Sequence, residues 1–150
     1  MKKYKVGIIG GTGMVGQRFV TLMEDHPWFQ LTAIAASPRS AGKTYEQAVS
    51  GRWAMKTPIP QQAKDLVVLD ASATWKDRRH GRLRLLCRGY EEGGDPRPGG
   101  DLRQAEVPVV SNNSAHRWTD DVPMVVPEMN PEHLAVIPAQ RARLAPGAAS

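Results

Sequence analysis

The run Lys5-Val6-Gly7-Ile8-Ile9-Gly10-Gly11-Thr12-Gly13-Met14-Val15-Gly16 holds the residues best suited to chemistry. A short apolar strand opens into a glycine-rich turn, and Val15, Phe19, Val20 and Leu22-Met23 then recur at helical spacing. Such a turn brings bare backbone amides against a pyrophosphate at the positive end of a helix dipole. Gly10, Thr12, Gly13, Met14, Val15 and Gly16 are therefore the candidate phosphate cradle. The plain alternative is a tight strand-to-helix connection that binds nothing.

The elements that must position this turn alternate along the chain. Residues 5–9 read as a buried strand and 14–25 as a helix, ending near Asp25-His26-Pro27 because proline disfavours helix in the residue before it. Leu31 to Ala35 form a second strand, Ser37 to Lys43 the loop leaving it, and 45–50 a helical turn. Pro58-Ile59-Pro60 cannot extend a central strand, and Asp65 to Asp70 are the third strand candidate. Val107 to Ser111 and Pro123 to Val126 are apolar, β-branched runs of strand length. A last helix is expected from Asn130-Pro131-Glu132, a cap with proline at the first helical position, toward Arg143, kinked at Pro138. Strands alternating with helices imply an α/β fold with a doubly wound parallel sheet of Rossmann type.

With 150 residues, 41% of them apolar, the chain makes one domain or a piece of something larger. No run approaches the roughly 20 apolar residues of a membrane span, and the N-terminus lacks the apolar stretch of a signal peptide. The single cysteine, Cys87, excludes an internal disulfide and fits a reducing cytoplasm, so a soluble cytoplasmic protein is expected. The net charge of +5 is concentrated. Residues 72–104 carry Lys76 and seven arginines against five acids. The remainder is close to balanced, so the basic charge says little about partners.

Residues 72–104 also break the alternation. A Rossmann half needs a strand and a crossover helix between 70 and 107. This stretch, with six of the fourteen glycines, supplies little of either, although Arg82-Leu83-Arg84-Leu85 does alternate. By composition it is a disordered insert or an arginine-rich nucleic-acid segment.

Four blocks occur in order: Gly10 to Gly16, Ala35 to Lys43, Val109 to Trp118, and Val125-Val126-Pro127-Glu128-Met129-Asn130-Pro131-Glu132. Together they closely resemble the N-terminal domain of aspartate-semialdehyde dehydrogenases of the archaeal and fungal branch, over about residues 1–71 and 105–144. The family has a strand and a helix where 72–104 stand. Two compensating insertions or deletions over roughly 74–104 would account for their absence. One possible coding string for Arg82 to Gln104, read one nucleotide later, yields an apolar strand and a charged amphipathic helix. The tail Leu144 to Ser150 also leaves the family pattern, which reads as another slip and an early stop, with 145–150 aberrant. Resequencing codons 70–110 and past 144 distinguishes these readings.

The resemblance implies that the turn at Thr12 to Val15 cradles the pyrophosphate of NADP. Gly11 stands where the family usually has alanine, a change expected to be tolerated. Ser37, Arg39 and Ser40 follow strand two, where a dinucleotide fold meets the adenosine ribose. An NAD site usually places an acid there. An arginine flanked by hydroxyls suits a 2′-phosphate instead, because guanidinium offers paired charged donors; a solvated loop arginine is the alternative.

Arg117 matches the family's arginine that holds the substrate phosphate, a bidentate clamp on aspartyl phosphate; the alternative is a pair with Asp120 or Asp121. His116 reads as a loop residue, His26 and His133 as helix-end residues, and Trp28, Trp53 and Trp118 as packing. The implied reaction is NADPH-dependent reductive dephosphorylation of aspartyl 4-phosphate to aspartate 4-semialdehyde, on the route to lysine, threonine and methionine. Its catalytic cysteine and histidine belong to a C-terminal catalytic and dimerisation domain beyond residue 150, so Cys87 is incidental and no catalytic or metal-binding residue is expected here. The full-length family is homo-oligomeric. No nucleic-acid or membrane partner is expected.

Two other readings stay open: a malonyl-CoA reductase-like enzyme, and a non-catalytic nucleotide- or nucleic-acid-binding module that uses the arginine-rich stretch. A chain that has lost a central strand and does not fold stably is a further outcome.

Overall fold

Parallel strand pairing gathers the alternating elements into a single sheet. The computed structural model describes residues 2–71, 83–86, 108–112, 114 and 116–144. Strands β1 (Tyr4–Ile9), β2 (Phe29–Ala36), β3 (Val68–Asp70), β4 (Leu83–Leu86) and β5 (Val109–Ser111) lie in the order β3-β2-β1-β4-β5. Every neighbouring pair is parallel. This is the order of the first five strands of a Rossmann sheet, winding outward in both directions from β1 and β4.

Side chains alternate along β1, as the two-residue strand period requires, while a register shift opposite Val6 and Gly7 puts Leu31 and Ile34 of β2 on the same face. Val6, Ile8, Leu31, Ile34, Ala36 and Val68 share one core with Val20 and Met23 of the first helix and its end. Ile9, Ala35 and Ala71 form a smaller cluster with Leu69 and Val109. Helices α1 (Met14–Leu22) and α2 (Tyr45–Val49) add buried residues only to the first core. Each fully buried Val or Ile there contributes about 1.5–3 kcal/mol. The segments joining β3 to β4 and β4 to β5 lie outside the described residues, and with them Cys87, most of the stretch 74–104 and the tail 145–150.

The alternating strands and the first two helical segments match the reading of the sequence, with altered ends. Helix α1 stops at Leu22, three residues early, because Asp25 takes a left-handed conformation with φ 51°. The His26 Nδ1 then accepts the amides of both Trp28 and Phe29, each at 3.2 Å, and turns the chain into β2. Helix α2 starts from a capping box. Thr44 accepts from the Gln47 amide and the Gln47 side chain accepts from the Thr44 amide. Pro60 caps the short helix α3 (Gln61–Lys64). In the third strand candidate only Val68–Asp70 join the sheet, while Val67 makes an isolated bridge to Thr44.

One expectation is corrected outright. Leu83–Leu86 does form a strand, and it occupies an interior position between β1 and β5. Val6 to Ile9 on one side and Val109 to Ser111 on the other fix its register, and Leu85 is buried. Pairing on both edges thus overrides a weak local preference.

The chain divides into two compact units, Met1–Asn112 and Asn113–Ser150. Within the second, Pro123 to Val126 are not a strand. The side-chain amide of Asn130 takes the place of a neighbouring strand: its Oδ1 accepts from the Val126 amide at 2.7 Å and its Nδ2 donates to the Met124 carbonyl at 2.9 Å. Asn130 therefore closes this loop and makes no side-chain cap. The expected last helix splits into a 3₁₀ segment, Pro131–Val136, and helix α4 (Ile137–Leu144). Pro138 sits in the first turn of α4, where its missing N–H leaves no gap in the ladder. Trp118 is 92% exposed, against the expectation that it packs.

Candidate functional site

In an open parallel sheet a ligand lies beyond the carboxyl ends of the strands, where the winding reverses. That switch point falls between β1 and β4, and the glycine turn leaves the carboxyl end of β1. Gly10 adopts φ 80°, a conformation that favours glycine, and redirects the chain over the sheet. The amides of Gly10 and Gly11 both donate to the Ala35 carbonyl, at 2.8 and 3.1 Å, so the turn is tied to β2. The Gly13 amide donates back to the Gly10 carbonyl at 3.1 Å, and the Gly13 carbonyl accepts from Gln17 at 2.8 Å to start the helix. A β-carbon on Gly16 would stand 2.5 Å from the Gly11 Cα and also strike the Gly10 carbonyl, so helix and turn touch backbone to backbone.

Gly13 caps α1 without a side-chain hydrogen bond, and the first turn carries no acid. Among the described residues the amides of Thr12, Met14 and Val15 have no acceptor. Three donors without acceptors thus lie at the positive end of the α1 dipole, an arrangement suited to an anion.

The loop after β2 leaves one residue beyond the Ala35 carbonyl that holds the turn. Ser40 closes it on Ser37 through a 2.9 Å backbone bond, and its far end is clamped to β3 by Gly42 to Val68 and Val68 to Lys43, both 2.8 Å. Ser37 and Arg39 are exposed on this braced loop. Ser40 is drawn inward, 4% exposed, and its Oγ accepts from Arg52 at 3.4 Å. The same Arg52 group also donates to the Ala48 carbonyl. No carboxylate occupies positions 36–40.

Three residues of this neighbourhood were not singled out from the sequence. Tyr45, fully buried, donates its hydroxyl to the Gly11 carbonyl at 2.8 Å. Gln17 is 2% exposed, and its Nε2 donates to the carbonyls of Thr12 and Arg52, both at 3.0 Å. Its Oε1 accepts from the Ala54 amide at 2.8 Å. The third is Arg52. A polar Gln17 on the same helix stripe as Gly16 and Val20 was the available signal; nothing local marked Tyr45 or Arg52.

Arg117 lies in the second unit, exposed in a turn that its amide closes on the Ser114 carbonyl at 3.1 Å. In the same unit Arg143 forks onto Asp121 through its Nε and Nη2. That contact raises the Arg143 guanidinium above its ordinary range, by hydrogen bonding first. Among the described residues no group of His, Cys, Asp or Glu is placed to hold a metal. No described helix is long and apolar enough to cross a membrane.

Comparisons with known proteins agree with this geometry. A family model described as "Semialdehyde dehydrogenase, NAD binding domain" matches residues 5–137. An aspartate-semialdehyde dehydrogenase of Archaeoglobus fulgidus is 37% identical over 139 residues, 93% of this chain and 38% of that protein. One from Aspergillus fumigatus is 41% identical over 139 residues, again 93% of this chain and 37% of the relative. The crystal structure of the Candida albicans enzyme with NADP superposes with a TM-score of 0.80 at 33% identity, covering 93% of this chain and 37% of that one. The chain thus spans less than two fifths of the length of these relatives. With the family model matched over most of its residues and the sheet order and glycine turn in place, the chain belongs to the semialdehyde dehydrogenase family, as its NAD-binding domain.

Proposed function

We propose that the chain binds NADP as the cofactor domain of an aspartate-semialdehyde dehydrogenase. The observation that carries the cofactor choice is the braced loop after β2, which exposes Arg39 and Ser37 and holds no carboxylate. A carboxylate would accept from a free ribose 2′-hydroxyl, whereas a guanidinium matches a 2′-phosphate. The site fits the cofactor's other end as well. Gly13 stands in open contact, its nearest obstacle for a β-carbon being the Gly10 carbonyl at 3.5 Å, and three amides without acceptors among the described residues surround it.

When bound, NADPH supplies the hydride that replaces phosphate at the acyl carbon of aspartyl 4-phosphate. The residues of this chain bind and orient. The Thr12, Met14 and Val15 amides hold the pyrophosphate, Arg39 and Ser37 the 2′-phosphate, and Ser40 steadies the loop through Arg52. Arg117, exposed in its turn, clamps the phosphoryl group of the substrate. A homo-oligomeric, cytoplasmic enzyme goes with this reading.

Calorimetric titration of the chain with NADP and with NAD tests the cofactor. NADP is expected to bind at least about tenfold tighter, as a charge-assisted contact to a phosphate allows. Equal affinities, or preference for NAD, would overturn it. NADPH oxidation that depends on malonyl-CoA and not on aspartyl phosphate would shift the substrate assignment.

A further inference from the structure

The peptide groups of the glycine turn can be accounted for one by one. In a trans peptide the carbonyl and the following amide point in opposite directions. Between Gly10 and Gly11, the carbonyl accepts from the Gly13 amide and the amide donates to Ala35. Between Thr12 and Gly13, the carbonyl accepts from Gln17 Nε2 and the amide donates to Gly10. In the peptide between Gly11 and Thr12 the carbonyl accepts from the buried hydroxyl of Tyr45, 34 residues away, and the Thr12 amide has no acceptor among the described residues.

We infer that Tyr45 is a positioning residue of the phosphate turn. By holding the Gly11 carbonyl toward the core it aims the Thr12 amide outward at the pyrophosphate, with Gln17 fixing the next peptide in the same register. The ring of Tyr45 is itself immobilised. It is fully buried, packs edge-on against Trp53 at 6.3 Å, and opens α2 from a capped N-terminus. An unaimed peptide would have to be rotated at the moment of binding; a held one donates without reorganisation.

This inference rests on the proposed NADP reading, and the test separates the two. Tyr45→Phe keeps the ring and removes only the hydroxyl. NADP affinity is expected to fall about tenfold, the loss of one well-aimed hydrogen bond to a charged group. Adenosine 2′-phosphate, which reaches the Arg39 loop and not the turn, should bind within about twofold of wild type, since no bond to that loop is altered. Equal loss of both ligands would make Tyr45 merely structural, and unchanged NADP binding would remove its role.

A second measurement needs no variant and decides the matter if Tyr45→Phe fails to fold. On titrating inorganic pyrophosphate into the wild-type chain, the Thr12 amide proton should move downfield in ¹H–¹⁵N spectra while the Gly13 amide, already bonded, stays in place. A silent Thr12 in a chain that binds NADP overturns the role of Tyr45 alone. A chain that binds neither NADP nor adenosine 2′-phosphate overturns both proposals.

Discussion

The Cγ2 methyl of Ile34 fills the space that a β-carbon on Gly11 would need. The next contact, the Cγ2 of Ile8, lies at 3.6 Å, so the conflict is with one side chain. Ile34 is fully buried in the core beneath the turn, and its β-branch leaves little freedom to turn away. Glycine at position 11 is thus matched by what lies under it.

Gly11→Ala should therefore lower stability by about 1–3 kcal/mol, the usual range for overpacking. Thermal melting reads this as a fall of about 2–4 °C per kcal/mol for a chain of this size. In an Ile34→Ala background the obstructing methyl is gone, so the added penalty should shrink. Strict additivity of the two changes would contradict the contact.

Gly16→Ala should be worse and should have no side-chain rescue. Its β-carbon meets the Gly10 carbonyl and the Gly11 backbone, atoms that move only if α1 backs away from the turn. The melting temperature should drop further than for Gly11→Ala, by more than about 3 kcal/mol in stability, beyond ordinary overpacking. Anion binding at the Met14 and Val15 amides should weaken with it. A variant as stable as wild type would show that the helix has room to spare.

Substitutions at Arg39 should change cofactor choice more than stability, because the side chain is exposed. Arg39→Ala is expected to narrow the preference for NADP over NAD by about ten- to a hundredfold, the range of a lost charged hydrogen-bond pair. Arg39→Asp should favour NAD outright by repelling the 2′-phosphate and accepting from the ribose hydroxyl. Paired titrations at two salt concentrations read both effects, with the wild-type preference falling as salt rises. Preference unchanged in both variants would place the 2′-phosphate elsewhere.

The Arg143–Asp121 pair makes the opposite kind of prediction. Its geometry is bidentate, but the Arg143 side chain is 48% exposed, so solvent screens most of the attraction. Arg143→Ala should lower stability by no more than about 1 kcal/mol, and the difference should fade in molar salt. A larger, salt-independent loss would mean that Arg143 does more than pair with Asp121.

Much of this architecture was legible because its determinants are local. The glycine turn, the strand before it, the helix after it and the loop at Ser37 to Lys43 follow from residues within a few positions of each other. What escaped depends on partners far along the chain. Leu83–Leu86 becomes a strand because β1 and β5 receive it on both edges, and its own residues argued only weakly for that. Pro123 to Val126 looked like a strand by residue type, but the side chains of Asn130 and His133 take up the Val126 and Met124 amides and the Met124 carbonyl. At the site, the motifs single out Ser37, Arg39 and the turn as the groups proposed to contact the cofactor. The bracing by Tyr45 and Gln17 could not, since it runs over separations of 34 to 37 residues.

The placement of β1 between β2 and β4 also sets an order of events during folding. Its pairing with β2 closes a short β-α-β circuit through α1, but its other edge waits for Leu83 to reach Val6. Bringing such distant segments together carries a larger chain-entropy cost before any contact compensates it. The phosphate turn is therefore expected to assemble early on one flank and finish late on the other. A refolding experiment that follows the ability to bind cofactor should lag one that follows helix formation, with the arrival of β4 as the slow step.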